Sequence, residues 1–232
     1  MEALGVGHSR PARAHGAKGV AILTGYEKKA ASKATKSFRS EVAAFKRRRI
    51  LEEACRLFYE RGYAGTTLDD IAAALNATKP LIYAHFNNKG ELLYEICIAA
   101  TLQSLEAVEV ACAEGGTSSQ KLLRMVRGMV KVVVRNQANL AVQIREEKQL
   151  PPAEAREIST KQKTLDERIR RVLNEGIASG EFKIEDPGLA ALCIGGMITW
   201  IFYWYRDHGR LSEDEIARGV SRMARMIVGG KV

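Results

Sequence analysis

Three helix starts crowd into the stretch between Thr66 and Asn88, and no other feature restricts the fold of this chain so strongly. Thr66-Thr67 precedes Leu68-Asp69-Asp70-Ile71, so a threonine hydroxyl meets an acid three residues later, the pattern of a capping box. Leu68, Ile71, Ala72 and Leu75 then line one face of a helix of about two turns. Asn76 tolerates positive φ and supplies a stop. Thr78 caps again, Lys79 and Pro80 occupy a first turn where a missing N–H does no harm, and Leu81-Ile82-Tyr83-Ala84-His85-Phe86 continues the helix. Asn88, with Glu91 as its box partner, opens a third helix through Leu92, Leu93 and Ile96. Two short helices joined by a turn of about four residues form a helix-turn-helix unit.

Upstream, Ile50, Leu51, Ala54, Leu57 and Phe58 share one helical face, which Gly62 ends. The basic run Lys46-Arg47-Arg48-Arg49 precedes them. The chain's net charge of +9 is concentrated here: residues 1–49 hold 12 Lys/Arg and 3 Asp/Glu, 12 − 3 = +9, and the remainder balances at 24 against 24. A field of this kind suits a partner that is a polyanion, because neutralised phosphates release counterions, and it equally suits a solvated basic tail. Residues 1–40 are rich in Ala, Gly, Lys, Ser and Arg without a periodic apolar face, and read as a flexible extension, with helix from about Glu41.

The expected fold class is all-α, with no strand pattern and no fixed-period repeat. Cys55, Cys97, Cys112 and Cys193 lie far apart on mostly apolar faces, which argues against a zinc cage, a disulfide framework or a redox sensor. No unbroken run of about 18 apolar residues occurs, and the amino terminus lacks an apolar h-region, so the expectation is a cytoplasmic chain with no membrane span. His8, His15, His85 and His208 have no nucleophile or paired carboxylate beside them, and no Gly-rich loop follows a strand, so neither an enzyme nor a resident cofactor or metal is expected.

Thr66-Thr67-Leu68-Asp69-Asp70-Ile71-Ala72, Ala77-Thr78-Lys79-Pro80-Leu81-Ile82-Tyr83-Ala84-His85-Phe86 and Asn88-Lys89-Gly90-Glu91-Leu92-Leu93 together closely resemble the DNA-binding signature of TetR/AcrR-family transcriptional regulators. Asn76 stands where a Gly is commoner, and Gly90 where an acid is usual. The resemblance implies a three-helix reading head over 41–93 and a helical ligand-binding and dimerisation domain over 94–232. It implies a dimeric repressor that binds a palindromic DNA operator and is released by a small-molecule inducer. In such a head the second helix of the unit enters the major groove. By position, Thr78, Lys79, Pro80 and Leu81 begin that helix, with Lys79 first in line for a guanine edge. Tyr83 and His85 either face the groove or pack with a polar tip outward. Thr66, Thr67 and Lys89 lie beside phosphates, as do Lys46, Arg47 and Arg48 unless they are merely solvated.

The carboxy-terminal part reads as five or six further helices, with Leu189 to Tyr205 apolar nearly all round and therefore buried on more than one side. The resemblance assigns its last two long helices to a dimer interface through Leu189, Ile198, Ile216, Val220, Met223 and Ile227. Trp200, Tyr203, Trp204 and Arg206 cluster where an aromatic ligand wall is expected, alternatively as core or interface. The same segment resembles regulators that respond to acyl-CoA thioesters, which would set Arg145 or Arg206 toward CoA phosphates and Gln143 or Tyr203 toward the acyl group. A ligand-independent helix-turn-helix architectural protein would share every DNA feature and lack a cavity between the carboxy-terminal helices.

Overall fold

Intrinsic helix propensity, more than any apolar stripe, sets where the first helix begins. The computed structural model describes the backbone of residues 17–229 and the side chains of residues 38–229. Within it, α1 spans Ala17–Arg61, starting well before Glu41. Its early part is rich in Ala and Lys, good helix formers that leave no periodic apolar signal. Residues 1–16 of the expected extension, with His8 and His15, lie outside the described residues. The chain divides into two compact units, Met1–Arg48 and Arg49–Val232.

In the second unit α2 (Leu68–Ala74) and α3 (Lys79–Tyr83) follow α1. Then come α4 (Lys89–Ala113), α5 (Ser118–Arg135), α6 (Gln137–Glu146), α7 (Pro152–Ala178), α8 (Pro187–Thr199), α9 (Ile201–Trp204) and α10 (Glu213–Ile227). A single 3₁₀ turn, Glu147–Gln149, links α6 to α7. There is no strand among the described residues. The apolar segment Leu189 to Tyr205 is broken at Trp200, between α8 and α9.

Two cores hold this unit. One joins Ile50, Leu57, Phe58, Ile71, Ile82, Phe86, Leu92 and Leu93 to Val142, Leu150 and Ile158. The packing therefore does not close at residue 93: α6 and α7 supply part of the floor beneath the helix-turn-helix. The second core lies among α4, α5, α7, α8 and α10, around Met125, Val130, Leu173, Ile194 and Ala224. Gly176 on α7 is required by close approach, since a Cβ there would fall into the Phe182 ring.

Two segments, Lys89–Ala113 and Pro187–Trp204, reach the length and mean hydropathy of a membrane span, which a search for an unbroken apolar run passes over. Half of the first window is buried inside the protein, as for a core helix, against 28% of the second. Cys55 and Cys97 are buried, and desolvation pushes both thiols up to about 12, far from the thiolate that redox chemistry needs.

The amino terminus of α5 is closed from a distance. The Glu181 carboxylate accepts from the backbone N–H groups of Ser119 (2.9 Å) and Ser118 (3.0 Å), and these bonds, Ser119's foremost, hold its pKa at about 2. A carboxylate held below its ordinary 4.5 stabilises the fold fully above that value, and the contribution is lost as pH falls toward about 2. Glu181→Gln should therefore flatten the pH dependence of the urea midpoint in that window, and identical slopes for the two proteins would contradict the assignment.

Candidate nucleic-acid interface

Of the three caps read from the sequence, those at Thr67 and Asn88 are formed, and they flank the face α3 shows to solvent. Thr67 Oγ1 accepts from the Asp70 N–H at 3.1 Å, while the Asp70 carboxylate accepts from Thr67 N–H at 2.8 Å and Thr67 O–H at 2.6 Å. Those bonds hold the Asp70 pKa below the carboxylate range. Asn76 follows at φ 50°, the left-handed residue that ends α2. Thr78 has the extended backbone of an N-cap, yet its hydroxyl makes no capping bond and stays exposed. Ile82 and Phe86 are buried and anchor α3 from below. Thr78, Lys79, Pro80 and Tyr83 are exposed above them, with Leu81 and His85 half-buried. Lys79 Nζ lies 2.9 Å from Asp69 Oδ2, both groups open to solvent. Asn88 caps α4 by accepting from Glu91 N–H at 2.9 Å, but the Glu91 carboxylate returns to Asn87 instead, through its N–H and side-chain amide.

Two residues expected beside phosphates are engaged in structure. Thr66 is fully buried, its hydroxyl donating to Gly62 O at 2.9 Å and Leu57 O at 3.4 Å, so it ties the end of α1 to the start of α2. Lys89 Nζ donates to Tyr63 O (2.8 Å) and Thr66 O (2.9 Å) and sits 4.1 Å over the Tyr63 ring. Both carbonyls lie in the loop between α1 and α2, where Tyr63 O also accepts from Thr66 N–H at 3.3 Å. In the first unit Lys46 is exposed and Arg48 stacks on Phe45 at 5.5 Å.

Arg145 belongs to this same joint. It donates to Tyr59 O at 2.9 Å and to Phe58 O, the last carbonyls of α1, and to Glu146 Oε1 at 3.0 Å. Glu146, nearly buried, accepts from Tyr63 N–H at 3.3 Å. Sequence reasoning set Arg145 toward a ligand; nothing in a lone Arg on a helix signals a bond to carbonyls more than 80 residues away.

Among α4 to α8 lies a cavity of about 530 Å³. Met129, Val133, Leu140, Leu165, Ile169 and Ile198 give it apolar walls; Thr101, Ser104, Gln143, Gln162, Glu147 and Asp166 give it polar points. Of the expected ligand residues only Gln143 lines it. Tyr203 and Arg206 border a separate open depression beside Tyr59 and Gln137, and Arg206 donates to Tyr203 O and Tyr205 O. Trp200 and Tyr203 stack at 4.8 Å on the outside of the protein, and Trp204 is also exposed. Thr101 and Ser104 were legible as polar residues on the buried face of α4, spaced like Cys97 and Val108; Asp166 gave no such signal.

The expected interface residues separate by burial. Ile198, Ile216 and Val220 are buried inside a single chain, filling the core between α8 and α10, and have no surface to offer a partner. Leu189 and Met223 are more than half exposed, joined by Leu192, Trp200 and Met226, with Ile227 half-buried.

Comparison with known proteins agrees with this architecture. Residues 50–96 match the model described as bacterial regulatory proteins, tetR family, and residues 115–228 the tetracyclin repressor-like C-terminal domain. A TetR/AcrR-family regulator from Thermobifida fusca is 30% identical, covering 77% of this chain and 95% of that one with a TM-score of 0.62. The chain belongs to the TetR family of transcriptional regulators. The HTH-type regulator YhgD of Bacillus subtilis is 27% identical over 72% of this chain and 88% of its own. AibR, solved with isovaleryl coenzyme A and operator DNA, is 28% identical over 80% of this chain and 100% of that one, TM-score 0.67.

Removing the guanidinium by Arg145→Leu leaves the Phe58 and Tyr59 carbonyls without this donor. The side chain is half exposed and solvent replaces part of the loss, so the expected cost is about 1 kcal/mol. Urea unfolding with hydrogen exchange checks it: amides of residues 57–66 should exchange faster, and unchanged exchange there would refute the joint.

Proposed function

We propose that the protein is a dimeric repressor that reads a twofold-symmetric operator with the exposed start of α3 and releases it when a small molecule enters the cavity among α4 to α8. The observation that carries the reading is the face of α3, where Thr78, Lys79, Pro80 and Tyr83 stand exposed over the buried Ile82 and Phe86. A side chain at the start of such a helix reaches base edges. Lys79 is the reader of a guanine O6/N7 pair, its present partner Asp69 being exposed and exchangeable. Leu81 and Pro80 offer apolar contact for a thymine methyl, and Tyr83, His85 and Thr67 meet the backbone. Lys46, Arg47 and Arg48 contribute phosphate contacts on the strength of the sequence alone.

Dimerisation is supported by the outward faces of α8 and α10. Leu189, Leu192 and Trp200 recur at helical spacing, more than half exposed, and Met223 and Met226 are exposed likewise on α10. Apolar patches of this kind rarely face water in a monomer. A second copy in twofold symmetry covers the patch and supplies the second reading head that a short recognition helix needs. That cover also accounts for the low burial of the Pro187–Trp204 segment without a membrane. Such a regulator works beside its operator in the cytoplasm.

Functionally, residues 41–93 read DNA, and 94–232 hold the effector and the dimer. α6 couples them: Leu140, Gln143 and Glu147 line the cavity, while Arg145 and Glu146 bind the end of α1. α4 does the same with Thr101 and Ser104 at one end and Leu92 and Leu93 in the reading-head core at the other. Effector and operator then each weaken the other's binding. The cavity favours this over a ligand-independent architectural protein. AibR suggests a CoA thioester as effector class, and the acidic lining of this cavity, without Lys or Arg among the described residues, speaks against it.

The test is fluorescence anisotropy on the DNA immediately upstream of the gene, with a panel of acyl-CoA thioesters. Specific binding is expected, and release by one thioester supports that effector class. Binding untouched by every thioester discards the class and keeps the regulator; no specific binding at low salt overturns the reading. Leu189→Asp should give a folded monomer by ultracentrifugation with operator affinity lower by about two orders of magnitude or more.

A further inference from the structure

Taking the cavity as the effector site, which is the reading above, we infer that its ligand is a lipophilic cation, an amine or quaternary ammonium on an apolar body. Three buried polar side chains point to a ligand here. Thr101, Ser104 and Gln143 are 7%, 6% and 5% exposed, line the cavity, and make no side-chain hydrogen bond among the described residues. Their polar groups open onto the cavity and are not sealed from it, so a molecule within it can hydrogen-bond to all three.

The charge of the lining selects its class. Among the described residues, two carboxylates, Asp166 on α7 and the exposed Glu147 beyond α6, are the only ionisable groups that line the cavity, and neither Lys nor Arg does. Asp166 has no hydrogen bond or ion pair within 4 Å among the described residues; Arg170, one turn on and exposed, acts on it only at longer range. Burial raises its pKa while Arg170 lowers it. A carboxylate partly stripped of water and facing an apolar void gains from a cation and repels an anion. The same lining offers nothing to the diphosphate of a coenzyme A, whose charged portion would have to stay outside.

Tetraphenylphosphonium and tetraphenylborate provide the test, being close in size and shape and opposite in charge. Equilibrium dialysis on the full chain should show the phosphonium bound at least about tenfold more tightly. The net charge of +9 makes the result discriminating, because non-specific attraction favours the borate. Asp166→Asn should remove most of that preference with the circular dichroism unchanged, and Ser104→Phe should exclude both ions by filling the cavity. Borate binding as tight as phosphonium, with both lost in Ser104→Phe, overturns the cation inference and leaves the cavity as effector site. Phosphonium binding that survives both variants, or no binding of either ion, also overturns it. The operator assay stands apart from all of these outcomes.

Discussion

The carboxy-terminal end of α1 is where the second unit is held together. The last carbonyls of an α-helix have no partner within the helix, and here Phe58 and Tyr59 receive Arg145, Leu57 and Gly62 receive the Thr66 hydroxyl, and the loop beyond receives Lys89. Three donors from α6, from the start of α2 and from the start of α4 meet on the short stretch from Leu57 to Thr66. The angle at which α2 and α3 stand on α1, and with it the presentation of Thr78 and Lys79, follows from that joint.

Because Arg145 and Glu146 sit beside Gln143 on α6, the joint and the cavity are faces of one helix ten residues long. A rigid short helix cannot satisfy a ligand on one side and shift without disturbing the other. Packing adds to this: Val142, Leu150 and Ile158 belong to the reading-head core, so the head has no independent floor. Coupling between effector and operator then needs no long pathway, only two arrangements of α6 that the two ligands prefer differently.

Much of this was legible in the sequence, because local rules carry it. Thr67 with Asp70, Asn76 at positive φ and the buried spacing of Ile82 and Phe86 depend on neighbours a few residues away. What escaped depends on distant partners. Thr66 looks like a phosphate ligand until Leu57 O and Gly62 O are seen to take its hydroxyl, and Lys89 until the loop carbonyls of Tyr63 and Thr66 are seen beside it. Ile198, Ile216 and Val220 have the periodicity of an apolar face, but a helix buried on one side and covered on the other shows two such faces, and periodicity does not say which is inside. The reach of α1 back to Ala17 escaped for the opposite reason, since helix propensity without amphipathicity leaves no pattern to find.

The proposed function has two copies of α3 reading DNA as a symmetric pair. Hydroxyl-radical footprinting of the protein on its own upstream DNA tests it most directly. Protected segments related by a twofold axis are expected, with half-site centres about one helical turn or a multiple of it apart, and loss of the contacts at the outer bases in Lys79→Ala. A single unsymmetric protected segment, or a footprint indifferent to Lys79, would contradict it.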